Sequence, residues 1–165
     1  MIYTDINALK TQVDQWKSEG LKVVFTNGVF DILHIGHIDY LQKSKALGHK
    51  LIIGINDDNS VRRLNKGPER PIHPELARAG VIDALRCVDA VIVFGDDTPP
   101  QLISSLLPNV LVKGGDYDPN ELDESKKTFM VGSKEVRAIG GHVYSIPLVA
   151  GFSTSEAVRK IKNQE

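Results

Sequence analysis

The chain has one cysteine, few aromatic residues and almost no charge imbalance, and each shortage removes a class of protein. A lone Cys87 excludes an internal disulfide framework and a cysteine-built metal site, and it fits a reduced compartment. Twenty Lys and Arg against 21 Asp and Glu leave a net charge of -1, so no long-range field draws the protein onto nucleic acid or an anionic membrane. A small-molecule partner is the expectation. No apolar run approaches the roughly 18 residues that span a bilayer. The first residues, Met1-Ile2-Tyr3-Thr4-Asp5, carry neither a basic nor an apolar leader region, so a cytoplasmic protein is expected. Several catalytic signatures are missing too: no P-loop, no G-x-G-x-x-G after the first predicted strand, no H-E-x-x-H, no G-x-S-x-G and no evident carboxylate cage for a metal.

What is present reads as one α/β domain over 1–165. Ile6, Leu9, Val13 and Trp16 follow helical spacing behind Asp5, a good N-cap, and Gly20 closes an amphipathic helix within the first 20 residues. Short Val- and Ile-rich runs follow at 21–26, 51–55, 90–94, 110–112 and 143–146. They show little alternation, the pattern of strands buried on both faces. The intervening stretches 38–47, 58–64, 74–86 and 99–106 are long enough for crossover helices. The expected fold is a Rossmann-like, doubly wound, parallel five-stranded sheet with helices on both faces. Ligands in such sheets collect outside the carboxyl ends of the strands, where strand order reverses. Two stretches stand apart. Gly67-Pro68-Glu69-Arg70-Pro71 is a loop that can lie over the site, and 118–131 reads as an insertion, with a weak helix over 118–127.

Three turns on that predicted edge favour an anion. The first strand runs into Thr26-Asn27-Gly28-Val29-Phe30-Asp31 and then His34-Ile35-Gly36-His37 at the start of a helix. Free backbone amides and the helix dipole attract negative charge there, the glycines permit close approach, and two imidazoles three residues apart can face one phosphate. The bland alternative has one His capping a turn and the other packed in the core. The second turn, Lys113-Gly114-Gly115-Asp116, places a cation, a glycine backbone and a ribose-binding carboxylate at another strand end, although a solvated Gly-Gly turn has the same look. The third, Gly151-Phe152-Ser153-Thr154-Ser155-Glu156, offers hydroxyls at a helix start, and Ser153 with Glu156 is also a plain capping box. Of the basic run Arg62, Arg63, Lys66, Arg70 and Arg78, most should be a solvated face, with Lys66 or Arg78 directed at phosphate.

These residues resemble the HxGH nucleotidyltransferase superfamily, and within it the adenylyltransferases that act on D-glycero-D-manno-heptose 1-phosphate. The resemblance spans about 21–161. It rests on Phe25 through His37, on Leu111-Val112-Lys113-Gly114-Gly115-Asp116-Tyr117, on Gly132-Ser133-Lys134-Glu135-Val136 with Gly140-Gly141, and on Gly151-Phe152-Ser153-Thr154. It implies that His34, His37 and Lys113 are catalytic. Thr26, Asn27, Gly28, Phe30, Gly36, Gly114, Asp116, Ser153 and Thr154 would bind the nucleotide, and Asp31, Asn56, Lys66 and Arg78 the acceptor. It further implies ATP and a sugar 1-phosphate as substrates, with Mg2+ held mainly by ATP phosphates and no metal ligated by the protein. Homo-oligomerisation is compatible with it, and a separate heptose kinase and phosphatase would act in the same pathway. Ile146-Pro147-Leu148-Val149-Ala150 has no Arg where the glycerol phosphate cytidylyltransferases carry one, which argues against that branch. Pantetheine phosphate or flavin mononucleotide as acceptor, and a non-catalytic nucleotide-binding module, are the competing expectations.

Overall fold

The computed structural model describes residues 1–65 and 67–163. Its six parallel strands are β1 (Ile2–Tyr3), β2 (Val23–Gly28), β3 (Lys50–Asn56), β4 (Ala90–Phe94), β5 (Val110–Gly114) and β6 (His142–Ile146). They lie in the order β1-β4-β3-β2-β5-β6. The helices are α1 (Ile6–Ser18), α2 (Ile35–Lys45), α3 (Asp58–Arg63), α4 (Glu75–Asp83), α5 (Pro100–Leu106), α6 (Ser133–Ala138) and α7 (Thr154–Lys162).

The uniform hydrophobicity of the central strands follows from packing on both faces. Val23, Phe25, Ile52, Ile92 and Leu111 face one core, shared with Leu9 and Val13 of α1 and Ile103 of α5. Their chain neighbours Val24, Leu51, Ile53, Val91 and Val112 face a second core with Leu41 of α2 and Ile82 of α4. Asp5 caps α1 by accepting from the Asn7 amide at 3.1 Å, and Gly20 follows that helix with φ of 75°.

Three expectations need correction. The sheet has six strands, because Ile2–Tyr3 adds an edge strand beside β4. Two residues are too short to show any period. β6 is an edge strand on which Tyr144 is exposed, so it alternates instead of being buried on both faces. The segment 118–131 forms turns in place of the weak helix. Asp118, Glu121 and Asp123 each bond a backbone amide one or two residues on, as local turns do, and Met130 anchors the far end in the core.

The chain leaves β2 toward β3 and β4, then crosses back to β5 on the other side of β2. The reversal therefore falls between β2 and β5. There the sheet presents Asn27 and Gly28 from one strand and Lys113 and Gly114 from the other.

Candidate active site

Past β2 the backbone turns sharply at Phe30, whose φ is 49°, a left-handed conformation that non-glycine residues adopt at a cost. The turn delivers His34 as the N-cap of α2 and His37 one turn in. Their ring centroids are 3.9 Å apart. The His34 backbone N–H donates to His37 Nδ1 at 3.4 Å, so neutral His37 carries its proton on Nε2. His34 Nδ1 is buried with no hydrogen-bond partner among the described residues. Burial, His34 and the nearby Arg70 cation together lower His37 to about 4, and burial also lowers His34. Two neutral rings thus stand at a helix N-terminus whose amides favour an anion.

Both histidines line a cavity of about 290 Å³ with Arg70, Phe152, Ser153 and Thr154. Ser153 caps α7 by accepting from the Glu156 amide at 3.1 Å, and Thr154 Oγ1 donates to Ile32 O at 3.2 Å, tying α7 to the His turn. The capping role and the place in the cavity coexist. Gly36 lines this cavity and has a further reason to be small. A Cβ there would lie 3.0 Å from two atoms of the His34 ring, so this glycine makes room for an imidazole.

A second cavity, of about 410 Å³, adjoins the first through shared walls at Phe30, His37, Tyr40 and Leu148. Asn27, Asn56, Lys113 and Gly114 line it, as do Asp97 and Thr98 of the loop after β4. Lys113 Nζ bonds Asn27 Oδ1 and lies 5.7 Å from the centre of the Tyr117 ring.

The remaining candidates divide. Thr26 is fully buried and shares a 2.5 Å hydrogen bond with Tyr40, so it braces the wall and lines neither cavity. Asp116 is exposed outside both linings, while its neighbour Tyr117 lines the second. Lys66 lies outside the described residues. Arg78 is a correction. Its side chain is fully buried, donating from Nε to His73 O, from Nη1 to Val29 O and from Nη2 to Asp58, and it lines neither cavity. Asp31 touches the first cavity, but its carboxylate accepts from the Ile72 and His73 amides and lies 2.6 Å from Arg70 Nε. It holds the 67–74 loop and positions Arg70, the arginine that does reach the cavity. Nothing in a basic run separates Arg70 from Arg78. Only the buried Asp31 distinguishes them.

The arrangement can grip a polyphosphate between imidazoles, hydroxyls and a guanidinium, and it opens on a polar chamber for a second molecule. Among the described residues no group of three or more His, Cys, Asp or Glu is placed to hold a metal ion, and no helix is long and apolar enough to cross a membrane.

Relatives share this frame. Bifunctional protein HldE of Coxiella burnetii is 50% identical over 156 residues, which are 94% of this chain and 31% of that protein. HldE of Azorhizobium caulinodans is 50% identical over 150 residues, 91% of this chain and 29% of its own length. The chain spans under a third of the length of these relatives. Among solved structures, a lipopolysaccharide core biosynthesis protein from Thermoplasma volcanium GSS1 superposes with a TM-score of 0.59 at 30% identity, covering 79% of this chain and 98% of that one. Pantoate-beta-alanine ligase of Francisella tularensis, complexed with beta-gamma ATP and beta-alanine, gives a TM-score of 0.64 at 14% identity over 99% of this chain and 77% of that one, a likeness of fold. Residues 25–160 match the cytidylyltransferase-like family, the stretch that carries every wall of both cavities, and the chain is a member of that family and a nucleotidyltransferase.

Proposed function

We propose that the protein transfers AMP from ATP to D-glycero-β-D-manno-heptose 1-phosphate, giving ADP-heptose and pyrophosphate. The observation that carries the transfer is the meeting of His34 and His37 with Ser153, Thr154 and Arg70 around one cavity. An oxygen of the sugar phosphate forms a bond to the α-phosphorus of ATP. The bond from that phosphorus to the bridging oxygen breaks, and the electron pair leaves with pyrophosphate. No covalent intermediate with the enzyme and no general base is required, because a phosphate oxygen is already a nucleophile.

The chain's residues supply position and charge. His37, as the Nε2–H tautomer, donates toward the α-phosphoryl oxygens, where negative charge develops. Ser153, Thr154 and the free amides at the start of α7 receive the pyrophosphate, and Arg70 adds a fixed positive charge. Lys113, across the second cavity, meets the phosphate of the incoming acceptor or the α-phosphoryl group. Magnesium enters as part of the MgATP substrate, its ligands being phosphate oxygens and water.

The heptose acceptor is supported by the resemblance through Lys113-Gly114-Gly115-Asp116-Tyr117 and by the half-identical HldE proteins. The apolar stretch 147–150, without the Arg of the glycerol phosphate enzymes, supports it further. Pyrophosphate release across a panel of nucleotides and phosphorylated acceptors tests the proposal. Turnover should be highest with ATP plus heptose 1-phosphate. Turnover with another acceptor and none with heptose phosphate overturns the assignment, and tight ATP binding with no release under any acceptor overturns catalysis itself.

A further inference from the structure

We infer that the β3–β4 end of the second cavity reads the hydroxyl groups of the acceptor, with Asp97 as the specificity-determining residue, Asn56 as its partner and Thr98 beside them. This rests on the proposal that the acceptor is a sugar phosphate. The cavity crosses the carboxyl ends of four adjacent strands, and its polar groups follow the strand order. Asp97 comes from the loop after β4, Asn56 ends β3, Asn27 is near the end of β2, and Lys113 is near the end of β5. With neighbouring strands about 4.8 Å apart, the row runs roughly 14 Å from a carboxylate to an ammonium group. A molecule lying along it meets a cation at one end and hydrogen-bond acceptors at the other, the polarity of a phosphate carried on a neutral polyol.

The acceptor end is built. Asn56 is only 3% exposed, and its amide nitrogen donates to Ser60 Oγ at 2.8 Å and to Asp96 O at 3.3 Å. The carbonyl of Asp96 fixes the amide's orientation, since a flipped Asn56 would set oxygen against oxygen. Oδ1 therefore has no partner among the described residues and is the atom offered to a donor in the cavity. Asp97 is held from outside: Arg63 Nε donates to its Oδ1 at 2.7 Å while Arg63 Nη2 donates to Gly95 O. That leaves Oδ2 for a ligand. Two acceptor oxygens beside the ends of adjoining strands, with the Thr98 hydroxyl at the same wall, suit the O–H donors of neighbouring sugar hydroxyls.

The test uses the full chain with Asp97→Asn and Thr98→Val. Calorimetric binding of a heptose 1-phosphate, in the presence of a non-hydrolysable ATP analogue, is paired with separate KM values for acceptor and ATP. Asp97→Asn should weaken the sugar phosphate about 10- to 100-fold, the effect of losing a charge-assisted hydrogen bond, and the weakening should fall on the acceptor KM and not on the ATP KM. A deoxy analogue lacking the recognised hydroxyl should bind wild type that much more weakly, and Asp97→Asn should no longer tell the two sugars apart. Unchanged sugar affinity in both variants overturns the inference. So does a rise confined to the ATP KM, which would assign these groups to ribose, and so does a wild type that binds no sugar phosphate. A wild type that binds the sugar phosphate yet releases no pyrophosphate defeats the transfer reading alone. Asp97 and Thr98 are exposed, so unaltered circular dichroism is expected for both variants.

Discussion

At the scale of single residues the proposed transfer leans most on His37. Its replacement by Ala should lower kcat by about 100-fold or more, the usual loss when one donor to the transition state is removed, while the circular dichroism spectrum is unchanged. A kcat near that of wild type would strip the residue of the role. The same side chain gives a pH signature. The fold holds His37 at about 4, against 6.5 for the free group, by burial and by the adjoining His34 and Arg70. Between those values the unfolded chain takes up the proton that the folded chain refuses. The stability contributed by this group is complete above pH 6.5 and is lost as pH falls toward 4. Urea midpoints measured across that window should fall less steeply in a His37→Gln variant than in wild type. Parallel slopes would show that other groups govern the acid limb. His34 and His37 were legible in the sequence because motif spacing and a helix start coincide. Arg70 was not, because its selection depends on Asp31, which is 39 positions away in the chain.

At the scale of elements, the starts of α2 and α7 wall the first cavity, where the proposed reaction has them grip the polyphosphate. Gly36→Ala introduces a methyl 3.0 Å from the His34 ring in a helix that otherwise prefers Ala. Activity should drop by about 10-fold or more while Tm stays within a few degrees, because the ring is displaced and the helix is not. A fall in Tm without loss of kcat would place the clash elsewhere. α7 has no buried residue of its own and is held by its Ser153 cap, by Thr154 to Ile32 O and by Lys162 to Glu69 at 3.3 Å. Ser153→Ala removes a cap worth about 1 kcal/mol. Amide exchange at the first turn of α7 should therefore accelerate while the β2 and β3 amides keep their protection, and the KM for ATP should rise. Most elements were legible from the sequence because hydrophobic runs and caps are local signals. β1 and α6 were not: the one is too short for a period, and the other is a six-residue helix that opens at Gly132, whose φ of 88° carries no helical signal.

At the scale of the whole molecule, Arg78 joins the layers. One guanidinium links α4, the end of the β2 turn, the 67–74 loop and the first residue of α3. Removing one partner of a buried, hydrogen-bonded charge costs about 3–5 kcal/mol. Arg78→Ala should accordingly lower the unfolding free energy by an amount of that order, read as a fall in the urea midpoint. Arg78→Lys should recover little of it, since a single ammonium cannot serve three partners spread across a planar fork. A raised acceptor KM with an unchanged midpoint would restore the acceptor-binding role that its place in a basic run suggests.

The sequence by itself determined the α/β class, the two-faced burial of the strands and the two anion-friendly helix starts, because hydrophobic period, capping residues and glycine placement act over a few neighbouring positions. Tertiary structure alone decided which cations line the cavities, that Gly36 leaves room for the His34 ring, and that Asn56, Asp97 and Lys113 stand in one row. Those relations join residues tens of positions apart, and they come into being only when parallel strands set their carboxyl ends side by side.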